Sequence, residues 1–215
     1  MENWKNLFKI QDYRSEELKN KAASWNMAFS KDDTLGLEQQ LSQFGLLKEG
    51  RHKISNILSE SDSLANICIF DNSQTIVAGN TIIHNKQSVC FISSTQLSLP
   101  HFIMKPEKFH HKILHWLGFK DIDFDDHPQF SDKYELRGEY KTVIEFFFDK
   151  KMLDFLASQP EIHMEGMNYY FIIYSKNNLY SSAQIMTLKK FAQMIFQLFL
   201  MKSKESLSIF DPIEA

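Results

Sequence analysis

The hydrophobic period of the chain changes twice. Leu18, Ala22, Trp25 and Phe29 recur at the three-and-four spacing of one helix face behind Ser15-Glu16-Glu17, a start resembling a capping box. That spacing predicts a helix over 15–29. Asp32-Asp33-Thr34 then supplies the cap of a second predicted helix, Leu35 to Phe44, with Gly45 placed to end it. From Lys53 the pattern becomes short apolar runs rich in β-branched residues: Lys53–Leu58, Ala65–Phe70, Thr75–Ile83 and Gln87–Ser93. Ser61-Asp62-Ser63, Asp71-Asn72-Ser73 and His84-Asn85-Lys86 separate them and read as turns, which predicts an antiparallel meander. Leu99–Met104 adds an extended segment, and Pro106 opens a predicted helix from Glu107 to Leu117, closed by Gly118.

The last third alternates. A strand is predicted at Lys133–Arg137, helical turns at Lys141–Phe147 and Lys150–Ser158, and strands at Glu161–Glu165 and Tyr169–Ser175. Ser181-Ser182-Ala183-Gln184 is a capping box for a long helix ending near Lys202, and the tail 203–215 is expected to fray. The expected fold class is therefore α+β: an N-terminal helical pair (1–50), an antiparallel β-meander part (51–104) and a β-α-β-β-α part (105–202), together one globular unit.

Composition narrows the class. The 215 residues are 43% hydrophobic, enough for a real core, with 19 Phe but only 7 Gly and 5 Pro. Lys and Arg total 24 against 27 Asp and Glu, and neither half of the chain is a basic lobe, so no nucleic-acid partner is expected. Cys68 and Cys90 each sit inside an apolar run and read as buried thiols of neighbouring strands. The start, Met1-Glu2-Asn3-Trp4-Lys5, has no apolar region behind its charge. The longest apolar stretch, Phe191 to Met201, is broken by Gln193 and Gln197 and falls short of the roughly 20 residues that span a bilayer. A cytoplasmic location follows as the expectation.

Chemistry concentrates in one neighbourhood. Residues 101–132 hold five of the eight histidines and a dense acidic run. His111 and His115 leave one face of the predicted helix, but a zincin needs Glu after the first histidine, and Lys112 stands there. Two histidines alone make no zinc site, so surface residues are the simpler reading, with Asp123, Asp125 and His127 as the remaining candidate ligands. Read as a calcium loop, Asp121–Asp132 puts Asp126 where a glycine turn is needed and Pro128 two positions later. Ile122 and Phe124 alternate with Asp121, Asp123 and Asp125, which instead predicts a solvated strand edge. No glycine-rich phosphate loop, nucleophile elbow or C-x-x-C occurs, so no cofactor is expected. Phe146-Phe147-Phe148 and Tyr169-Tyr170-Phe171 lack a basic surround and read as core.

Four segments carry a family resemblance. They are Leu46-Leu47-Lys48-Glu49-Gly50-Arg51 with Asn56-Ile57-Leu58; Ile69-Phe70-Asp71 before a hairpin; Leu99-Pro100-His101-Phe102 and Lys105-Pro106-Glu107 leading to Gly118-Phe119-Lys120-Asp121-Ile122-Asp123-Phe124; and His127-Pro128-Gln129-Phe130-Ser131 with Tyr134-Glu135-Leu136-Arg137-Gly138-Glu139. Over about 15–200 the chain resembles an uncharacterised bacterial family, a domain of unknown function usually described as the soluble part of predicted membrane proteins. The resemblance implies no activity, cofactor or catalytic residue. Members often carry hydrophobic helices before the domain. Only Glu2–Phe8 precedes it here, so membrane association is expected only through a partner.

The expected function is a non-catalytic interaction or binding module. The alternative is a metal-dependent or acid/base hydrolase centred on His101, His111, His115, Asp123, Asp125 and His127; a further one is a binder of a small apolar ligand or lipid. Along the last helix Leu188, Phe191, Ile195 and Leu198 form one stripe, while Met194, Phe199 and Met201 fall off it. Those three are the predicted interface, most simply that of a symmetric homodimer, unless Trp25 and Phe29 fold back over them.

Overall fold

Ile67 and Ile69 point to one side of their strand, Cys68 and Phe70 to the other, and all four are buried. A strand with two apolar faces needs cover on both sides of its sheet. In the computed structural model, which describes residues 13–107 and 119–209, both sides are covered.

The elements in order are α1 (residues 13–22), a 3-10 turn (Ala23–Trp25), β1 (Ala28–Asp32), α2 (Leu37–Gln40), a second 3-10 turn (Gly45–Leu47), β2 (Arg51–Ser61), β3 (Asn66–Ala78), β4 (Thr81–Ser93) and β5 (Leu99–Pro106). Then follow β6 (Lys120–Asp121), α3 (Pro128–Ser131), β7 (Tyr134–Gly138), α4 (Lys141–Phe147), α5 (Lys150–Ser158), β8 (His163–Asn168), β9 (Tyr170–Tyr174) and α6 (Ser182–Ile209). The fold is α+β. Among the described residues nine strands make one antiparallel sheet in the order β1-β2-β3-β4-β9-β8-β5-β7-β6. β5 does not extend the meander; it lies between β8 and β7.

One sheet face carries the larger core, where α4, α5 and α6 bring Ile144, Leu153, Ile195 and Phe199 against Phe102, Met104 and Phe171. Phe199 is fully buried, with ring centroids 5.4 to 6.0 Å from Phe171, Phe102 and Phe148. The other face is covered by residues 37–46, whose Leu37, Leu41, Phe44 and Leu46 pack on Ile57, Phe70, Phe91 and Ile172.

Several local expectations are met: α4 and α5 have the predicted bounds, and Ser181 and Gln184 form the reciprocal capping box of α6. Others are corrected. Asn26 adopts the left-handed conformation (φ 56°, ψ 42°) after the first 3-10 turn, so Phe29 lies in β1 rather than in a helix. Asp33 does cap the next helix, accepting from Leu37 N–H and Glu38 N–H at 2.9 Å each, but α2 ends after Gln40. Asp71-Asn72-Ser73 and His84-Asn85-Lys86 are not turns: β3 and β4 run straight through both, and the chain reverses at Gly79 (φ +60°) and Asn80. The tail is helical as far as Ile209. Pro106 ends β5 instead of opening a helix, and Glu107 N–H donates to the Lys133 carbonyl at 2.9 Å. The rest of the predicted helix, 108–117 with His111 and His115, lies outside the described residues. Among the described residues no helix is long and apolar enough to cross a membrane.

Candidate functional site

Asp71, in a segment of turn-like composition, is the centre of a buried polar cluster. A β-bulge in β2 between Ser55 and Leu58 holds Asn56 at φ 54° and aims its side chain at β3. Asp71 on β3 accepts from Asn56 Nδ2 at 2.9 Å and from Ser88 Oγ of β4 at 3.1 Å. Arg14 of α1 completes the set with a two-pronged grip on the same carboxylate, and its Nη1 donates to the Tyr180 carbonyl at 2.9 Å. A buried carboxylate needs this: its desolvation is offset by a facing cation and hydrogen bonds at every lone pair. The cluster ties α1, three strands and the entry to α6 together.

A second cluster lies on the opposite face, around β8. Glu165 is fully buried and accepts from Gly45 N–H at 2.5 Å, Leu46 N–H at 3.0 Å and Tyr174 Oη–H at 3.2 Å. Gly45 therefore does not terminate a helix; its N–H fastens the covering segment to the sheet. Burial raises the Glu165 carboxyl to about 7, although those hydrogen bonds pull the other way. Beside it His163 stacks on Tyr174 (centroids 4.9 Å apart), and burial, then Lys176 and Lys105, lower it to about 4. Lys105 and Glu135 pair at 2.7 Å with both side chains about a tenth exposed, and Arg137 pairs with Glu135 from the same strand. The two thiols are inert: burial pushes Cys68 up to about 11 and Cys90 higher still.

The histidine and aspartate candidates do not converge. His101 sits on β5 with its ring edge-on to Phe119 at 4.7 Å, and burial lowers its pKa. His127 precedes α3 and has Nδ1 3.8 Å from Asp154 Oδ1, in a surface notch of about 240 Å³ between α3 and α5. Asp123 and Asp125 are exposed while Ile122 and Phe124 turn inward, so the alternation holds although only Lys120–Asp121 is strand. Among the described residues no three His, Cys, Asp or Glu side chains are grouped to hold a metal.

On α6, Met194 and Met201 are exposed, 53% and 49%. Phe199 is not: it belongs to the core, so it offers no surface to a partner. Met194 lines an open groove of about 420 Å³ with Leu64, Ile67, Lys190 and Phe196, between α6 and the β2–β3 connection. No member of either buried cluster lines this groove or the notch at His127.

No family model and no curated protein matches the sequence. The fold has a counterpart. A crystal structure of the mycobacterial trehalose monomycolate transport factor A, TtfA, superposes with a TM-score of 0.56 over 89% of this chain and 90% of that one. At 10% identity the likeness is one of architecture.

Sequence reasoning missed both buried clusters. Their members carry no motif, and the one local signal, the β-bulge at Asn56, has no sequence mark. The hairpin turn did have one, since Gly-Asn between two β-branched runs is a two-residue turn signature.

Proposed function

We propose that this protein is a non-catalytic docking module, a bacterial accessory factor that positions partners and does not transform a substrate. One observation carries the reading: the polar side chains with least access to water are used to hold the protein's own elements together. Arg14 and Asp71 join α1 to the sheet, and Glu165 holds the turn at Gly45 and Leu46. Lys202 pairs with Asp149 at 2.9 Å, and Lys189 pairs with Glu60, anchoring α6 at two points. Catalytic groups, by contrast, gather with perturbed pKa values around an accessible cavity. The fold shared with a protein named as a transport factor supports the same class of role, by analogy of architecture.

The test is complementation of a deletion strain of the native host. A chain with His101→Gln, His127→Gln, Asp123→Asn and Asp125→Asn together restores the wild-type phenotype under this reading. Loss of complementation at an unchanged melting temperature would place chemistry at those residues and overturn it.

A further inference from the structure

We propose that the tip of the β3–β4 hairpin is a docking surface for an anionic lipid bilayer. Beyond the pair Arg51↔Thr75 the two strands have left β2 behind, and Ile76↔Ile83 and Val77↔Ile82 continue as a bare ribbon to the turn. Val77 is 70% exposed, Ile82 59% and Ile83 43%. Strand propensity explains β-branched residues there but not apolar ones, because threonine serves as well and does so at Thr75 and Thr81 of the same ribbon. A cluster of aliphatic side chains at the end of a two-stranded ribbon, belonging to neither core cluster, marks a contact surface.

The charge behind the tip says which kind. Side chains two apart along a strand share a face, so the Val77/Ile82 face continues inward through Thr75 and His84 to Ser73 and Lys86. Arg51 and Lys53 of β2 pair with Thr75 and Ser73 and extend those rows. Arg51, Lys53 and Lys86 are exposed and carry no ion pair among the described residues. No Asp or Glu occurs in the sequence between Asp71 and Glu107. At about 3.3 Å per residue the lysines stand roughly 13 Å behind the Val77/Ile82 pair. That is the layering of a bilayer surface: aliphatic groups enter the acyl boundary while cations stay among anionic head groups. A second copy docked tip to tip would bring like charges together, so the same rows disfavour a symmetric pair here.

The inference rests on the docking reading but is tested apart from it, with purified protein and no native host. Sedimentation with phosphatidylcholine vesicles, with and without phosphatidylglycerol, reads the binding. Wild-type protein should pellet only with the anionic vesicles. Lys53→Gln with Lys86→Gln, and separately Val77→Ser with Ile82→Ser, should each weaken that binding roughly tenfold or more at an unchanged melting temperature. Raising salt from about 0.1 M to about 1 M should release the protein, because the screening length falls from about 10 Å to 3 Å. No binding to either vesicle, equal binding to both, or binding unaffected by both double variants would overturn the proposal. So would self-association abolished by Val77→Ser with Ile82→Ser, which would assign the tip to a second copy. Failure of the histidine and aspartate complementation test would leave these vesicle results standing, and the reverse also holds.

Discussion

Arg14 holds Asp71 across 57 residues of sequence, Nε to Oδ2 at 2.6 Å and Nη2 to Oδ1 at 2.8 Å, with 17% and 8% of the two side chains exposed. The carboxylate lies in mid-sheet, where it would otherwise be a buried charge without a counterion. Arg14→Ala should therefore cost roughly 3 kcal/mol or more in urea unfolding, since breaking a buried pair leaves its partner uncompensated. Arg14→Met combined with Asp71→Leu should recover much of that loss. A single substitution costing under about 1 kcal/mol would mean the cluster is solvated in solution.

Glu165 and His163 give stability opposite slopes with pH. The folded Glu165 carboxyl keeps its proton to about pH 7, against 4.5 for the ordinary group. Between those values the folded chain binds more protons than the unfolded one, so this contribution falls as pH rises and is level above about 7. At about 1.4 kcal/mol per unit its full size is on the order of 3 kcal/mol. His163, lowered from 6.5 to about 4, works the other way: its contribution is complete above 6.5 and is lost as pH falls toward 4. Chemical denaturation from pH 4.5 to 8 should show Glu165→Gln removing the falling component and His163→Gln removing the rising one. Identical pH profiles for wild type and Glu165→Gln would show that this carboxyl titrates normally.

On α6, neighbouring positions should respond very differently. Phe199→Ala should cost about 3–5 kcal/mol, the usual loss for a large aromatic core residue. At concentrations where the chain is monomeric, Met194→Glu and Met201→Glu should each stay within about 0.5 kcal/mol, as exposed substitutions do. The symmetric dimer proposed through α6 now depends on Met194 and Met201. Light scattering at micromolar concentration should give twice the 25.3 kDa chain mass, falling to a monomer in the double Glu variant. A monomeric wild type would remove the dimer.

Two glycines with positive φ separate strain from crowding. At Gly79 (φ +60°) a Cβ would meet nothing within 4 Å, so Gly79→Ala should cost only the left-handed backbone penalty, about 1–2 kcal/mol. At Gly50 (φ +76°) the added Cβ would stand 2.4 Å from the Thr75 carbonyl oxygen, at the root of the projecting hairpin. Gly50→Ala should lower the melting temperature clearly more than Gly79→Ala. Equal effects would mean that the backbone beside Thr75 gives way freely.

The elements that the sequence determined by itself are those whose physics is local. α4, α5 and the start of α6 need only helical spacing, the Asp149 cap and the Ser181–Gln184 box, all within four residues of one another. Burial of both cysteines follows from their apolar neighbours, and the inward turn of Ile122 and Phe124 from alternation.

What the tertiary structure alone decided is where polar residues sit and which strands are neighbours. Asp71-Asn72-Ser73 has the composition of a turn, and a polar side chain looks the same in sequence whether water or Arg14 satisfies it. Only when α1 delivers that guanidinium can β3 carry a carboxylate through the sheet interior. In the same way, nothing near Gly45 announces that its N–H bonds Glu165, 120 residues later. β5 finds its place between β8 and β7 because pairing between strands distant in sequence depends on complementary edges brought together by the whole chain, and no local period encodes it.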